Sequence, residues 1–145
     1  MYRLILQHTN RRFILALLLV LLALGNVHGQ SRENLVKAGF VEKFTHFVDW
    51  PQSHSSEEKV LHVVVVGPVS YAKDLEVLLE RTRPGKVRFS FVSGPGQIGP
   101  CDLLIISRQM DDQLESVLNQ VRTLPVLTIS DGGGFCARGV MIQLF

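Results

Sequence analysis

Residues 127–142, LTISDGGGFCARGVMI, concentrate the side chains that could do chemistry: an acid at Asp131, three consecutive glycines, a thiol at Cys136 and a guanidinium at Arg138. A glycine-rich loop after an apolar run can cradle a phosphate, present a nucleophile or make a tight turn. A phosphate cradle needs a helix after the glycines, whose first N–H groups face the anion, and here an apolar, strand-like run follows instead. A nucleophilic thiol needs a base to activate it, and no histidine stands near Cys136 in the sequence. What remains is a strand-to-strand turn, with Asp131 bonding back to backbone N–H groups and the glycines allowing positive φ. Its position at the end of a strand still makes it the first place to look for a ligand.

Other motifs resolve in the same direction. GPGQIG at residues 94–99 matches the dinucleotide fingerprint, but that mechanism needs the loop to open a helix, and Pro100, Cys101 and a strand follow. A receiver-type site would need carboxylates at strand ends to hold a cation through oxygen ligands. VVVVGP ends with none, and LLIISRQ offers Ser107 where an acid is wanted. Asp111 and Asp112 have an adequate role as partners of a helix N-terminus. His46, His54 and His62 fall on different elements, without metal-ligand spacing, and no serine sits in a G-x-S-x-G elbow. These residues point to no catalytic group, no metal and no cofactor. A small ligand would have to use strand ends, where Gly67, Ser107 and Asp131 would line a cleft.

The elements that would position these residues begin after a leader. MYRLILQHTNRR carries Arg3, Arg11 and Arg12 and no acid, FILALLLVLLAL is twelve apolar residues, and GNVHGQ offers small residues for cleavage. That is the layout of a secretory signal peptide over residues 1–29. A membrane anchor is the rival reading, but a span needs roughly 20 apolar residues. Three of the 15 basic residues lie in the leader, which leaves 12 against 13 acidic ones. The apparent basicity therefore belongs to targeting, and no nucleic-acid footprint remains.

Residues 30–145 suffice for one domain. Ser31 can cap a helix carrying Leu35, Phe40, Val41, Phe44, Phe47 and Val48, ended by Pro51. VLHVVVV and DLLIIS read as strands buried on both faces, and KVRFSFV as an edge or half-buried strand. Helices are expected from Ser70 to Pro84 and from Met110 to Val121, with PVLTIS and VMIQLF as the last strands. Strand and helix alternate, so the fold class is a small three-layer α/β sandwich on a mostly parallel sheet, its last strand near the C-terminus. The connection from Val92 to Asp102 is too short for an ordinary helical crossover and is expected to shrink to one turn.

Two further features need weighing. Phe40, Phe44 and Phe47 share one face of the first helix, which ends at Trp50. Core packing is the ordinary use of such a face, and a partner surface with aromatic anchors is the sharper one. Secretion suggests a Cys101–Cys136 disulfide. Cys101 precedes one strand, however, and Cys136 lies beyond the far end of the next. Six strand residues span about 20 Å, whereas bridged Cα atoms lie within about 7 Å, so the two are expected not to be bridged to each other.

With these landmarks in order, the chain resembles the YfiR-like periplasmic family. VKAGFVEKFTHFVDWP is similar to its opening helix, LHVVVVG to its first strand and glycine, CDLLIIS to its central strand, and PVLTISDGGGFCARGVMI to its closing segment. The resemblance implies a non-enzymatic periplasmic regulator that inhibits an inner-membrane diguanylate cyclase by binding its periplasmic part. An outer-membrane lipoprotein would relieve the inhibition. A homodimer is a further expectation, and a periplasmic small-ligand binder is the alternative. Two departures stand out. Members often carry a cysteine where this chain has Val64, which leaves Cys101 without that partner. The family domain also normally continues with another strand and a terminal helix, so this chain reads as incomplete after Phe145.

Overall fold

The computed structural model describes residues 27–50 and 60–145, residues 27–30 as backbone only. The chain divides into two compact units, Met1–Val36 and Lys37–Phe145. The first is described only where it begins helix α1, Val27–Phe47; the sheet and both of its cores belong to the second. The expected leader lies almost wholly outside the described residues, as does His54. Ser31 does not cap α1 but sits inside it, because the turn before it already supplies carbonyls to the N–H groups a cap would serve.

Among the described residues five strands form one sheet: β1 (Leu61–Val66), β2 (Val87–Val92), β3 (Leu103–Ile106), β4 (Leu127–Ser130) and β5 (Ile142–Gln143). Their order is β2-β1-β3-β4-β5, and every neighbouring pair is parallel. Among the described residues the sheet is wholly parallel, in keeping with the expected mostly parallel sheet. The apolar runs LHVVVV and LLII occupy its centre, where all four residues of β3 are buried. Burying such Val, Leu and Ile side chains stabilises by roughly 1.5–3 kcal/mol each. VRFSFV, with its broken burial pattern, takes a rim as β2.

Alternation along the strands separates two cores. On one face Val63, Val65, Leu103, Ile105 and Ile129 pack against Ala38 and Val41 of α1 and against Ala72, Leu75 and Leu79 of α2 (Ala72–Thr82). On the other, Val64, Val66, Leu104 and Ile106 meet Leu114, Val117 and Val121 of α3 (Leu114–Val121). The layers are therefore helix, sheet, helix. The expected one-turn crossover is the 3-10 turn Pro95–Gln97, held where Ser93 N donates to Gln97 Oε1 at 2.9 Å. It occupies the GPGQIG motif, so no helix opens there. Asp102 sets the register of β3: its carboxylate accepts from His62 N, its N–H donates to His62 O, and its carbonyl accepts from Leu127 N.

Candidate functional site

The residues expected to line a cleft do meet at the C-terminal ends of the central strands, but they are already engaged. Gly67 follows β1 with φ +75°, and a Cβ there would lie 3.0 Å from the Ser107 Cβ and 3.1 Å from the Met110 Cε. Only glycine allows this conformation and this approach at no cost. Ser107 is fully buried; its hydroxyl donates to Pro68 O at 2.6 Å and accepts from Gln109 N. It pins the loop after β1 to the loop after β3, at the point where the strand order reverses and doubly wound sheets bind ligands.

Asp131, one residue past β4, does not bond back into its own turn as expected. Arg108 reaches across to its Oδ2 at 2.8 Å, and the carboxylate is almost wholly buried. Ser130 makes the turn instead, accepting from Gly132 N and donating to Ile106 O at 2.7 Å. A Cβ on Gly132 would fall 2.8 Å from the Phe135 ring, so here glycine is needed for close approach. The Tyr71 hydroxyl is buried without a hydrogen-bond partner among the described residues, and burial together with the Asp131 charge pushes its pKa well up. Asp111 accepts from Arg138 through its side chain and its carbonyl, an added role beside the expected one at a helix N-terminus.

The aromatic residues of α1 divide. Phe44 and Trp50 pack against the first core. Trp50 Nε1 and Arg83 Nη2 both donate to Thr45 O, at 3.0 and 3.1 Å, so an end carbonyl of α1 gains two partners. Phe40 and Phe47 face outward, 56% and 83% exposed. Lys43 stands near them, and Glu42 is buried, bonded to His46 Nε2 at 2.7 Å and paired with Lys43 at 3.2 Å. Burial alone would raise the Glu42 pKa; the bonds from His46 and Lys43 outweigh it and hold the carboxyl below its usual value.

A groove that the sequence did not suggest runs along α3 beside β4. It encloses about 480 Å³ between Leu114, Leu118, Val121, Val126 and Met141, with Arg122 and Arg138 at its edge. Its walls come from a helix, a strand start and a loop, each with its own period, so no single pattern marks it. Cys101 and Cys136 are both free thiols, the first half-buried and the second exposed. Burial, with the Asp102 charge, pushes the Cys101 thiol up to about 11. Among the described residues no group of three or more His, Cys, Asp or Glu could hold a metal, and no helix is long and apolar enough to cross a membrane.

The family model described as YfiR/HmsC-like matches residues 34–145, from the middle of α1 through β5. The chain belongs to the YfiR/HmsC-like family. No curated protein matches it. The family match takes in both the outward aromatic pair of α1 and the strand-end loops.

Proposed function

We propose that this YfiR/HmsC-like chain is a non-enzymatic periplasmic regulator that lowers cyclic-di-GMP by binding the periplasmic part of an inner-membrane diguanylate cyclase. The observation that carries the proposal is the exposure of Phe40 and Phe47 on one side of α1, inside the family-matched segment. Large aromatic side chains left in water on a helix seated through Ala38, Val41 and Phe44 are what a hot spot needs. The leader MYRLILQHTNRRFILALLLVLLALGNVHG supports export. An outer-membrane lipoprotein that competes for the same face would release the cyclase.

Capture of the purified periplasmic domain of a cyclase encoded in the same genome tests this reading. Replacing Phe40 and Phe47 together by Ala should weaken capture by about 30-fold, the roughly 2 kcal/mol of a hot-spot pair. Deleting the chain should raise cellular cyclic-di-GMP. Failure to capture any such domain, with cyclic-di-GMP unchanged on deletion, would end the proposal. The small-ligand alternative at Gly67, Ser107 and Asp131 has less support, since the Ser107 hydroxyl and the Asp131 carboxylate already have protein partners.

A further inference from the structure

The face of the sheet that carries the second core is covered by α3, and beside that helix apolar surface stays open. Leu118 is half-buried, Leu124 and Met141 are 50% and 61% exposed, and the groove they share holds about 480 Å³. That is the size of an ordinary small-molecule site, which combines apolar walls with a few placed polar groups.

The helix side of the groove carries its polar groups in order. Glu115, Asn119 and Arg122 line it at i, i+4 and i+7, so they stand in one row, whose ends are about 10.5 Å apart along the axis. All three are exposed, and among the described residues none of them makes an ion pair or a side-chain hydrogen bond. Arg138, also on the groove, is matched by Asp111, one turn before Glu115, and stands over the Phe135 ring. The unmatched charges are therefore an acid at one end and a base at the other. A helix dipole favours these signs at these ends. It does not explain apolar side chains left in water between them.

We infer that the groove binds a short free peptide, about three residues long, with its ammonium group at Glu115 and its carboxylate at Arg122. An extended chain advances about 3.3–3.6 Å per residue, so three residues match the row. Alternate side chains of such a chain fall on opposite sides. The first and third enter the groove toward Leu118 and Met141 and must be apolar, while the second points to water and is free to vary. The Asn119 carboxamide, donor and acceptor together, meets the middle of the peptide backbone. An acyl carboxylate would use Arg122 and the apolar wall but would leave Glu115 beside its tail, so the acid is what selects the peptide. The site uses none of the α1 residues, and it stands or falls separately from the cyclase reading.

Isothermal titration of the purified chain with the tripeptide leucyl-alanyl-leucine tests the assignment, with one site and a dissociation constant of about 10–100 µM expected. Amidating the peptide carboxylate, or Arg122→Gln, should each weaken binding about tenfold, and the two together should cost little more than either alone. Acetylating the peptide amine and Glu115→Gln should behave in the same way at the other end. Both side chains are exposed, so the variants should keep the far-UV circular dichroism of the parent. Decanoate, an acyl carboxylate without an amine, should bind more weakly than the peptide. No binding of the tripeptide at millimolar concentration overturns the proposal. So does binding indifferent to both Glu115→Gln and Arg122→Gln, or decanoate binding as tightly as the peptide.

Discussion

Ser107 and Ser130 are each within reach of a strand end, and each spends its hydroxyl on the backbone of a neighbouring strand or loop. A serine at a strand end reads equally well as a ligand group or as a staple, and only the carbonyl 2.6 Å from Ser107 Oγ distinguishes them. The partner of Asp131 is hidden in the sequence for the same reason, because Arg108 lies 23 residues away. The cysteines are more legible, since strand length alone separates Cys101 from Cys136. They also differ in environment, and this yields a measurement. Burial pushes the Cys101 thiol up to about 11, so little of it is thiolate at neutral pH. Brief alkylation at neutral pH without reductant, followed by peptide mapping, should modify exposed Cys136 first and Cys101 far more slowly. Two thiols blocked until reductant is added would contradict the unbridged arrangement.

Among the elements, α1 shows how far a periodic pattern reaches. At about 100° per residue, Phe40 and Phe47 point within about 20° of each other, while Phe44 is turned about 40° toward Val41. The core takes Ala38, Val41 and Thr45, whose centre lies on the Phe44 side, so one aromatic goes in and two stay out. The pattern gives the spacing; the sheet decides the rotation. Burial of Thr45 and Glu42 is not legible in the sequence, because each depends on a partner made in the helix: Thr45 Oγ1 donates to Glu42 O at 2.7 Å. Glu42 also makes stability depend on pH. Its carboxyl is held below the usual 4.5 when folded, so its contribution is complete above the unfolded value and is lost as pH falls through the folded one. Urea unfolding of Glu42→Gln should show a loss of about 1 kcal/mol at neutral pH. The variant should also weaken less than the parent as the pH drops below about 4.5. Equal acid slopes for variant and parent would remove Glu42 from this role.

For the molecule as a whole, the alternation of strands and helices announces a parallel sheet but not the order of its strands. The order follows from which face each connection takes. α2, after β1, packs on one core, and α3, after β3, on the other, so the sheet grows from β1 in both directions. The last strand is legible in place and not in length: VMIQLF suggests six residues, and only Ile142 and Gln143 pair with β4. Unequal strands imply unequal protection. β1 and β3 have neighbours on both sides and apolar cores on both faces, so their amides should exchange only when the whole domain unfolds. β5 is secured chiefly by its pairing to β4, by Leu144 N donating to Ser130 O and by Met141 N donating to Thr128 Oγ1, and it should open locally. Hydrogen–deuterium exchange read by mass spectrometry should find β5 exchanging orders of magnitude faster than β3, with β4 between them. Protection of β5 equal to that of β3 would mean that the rim and the centre open as one unit.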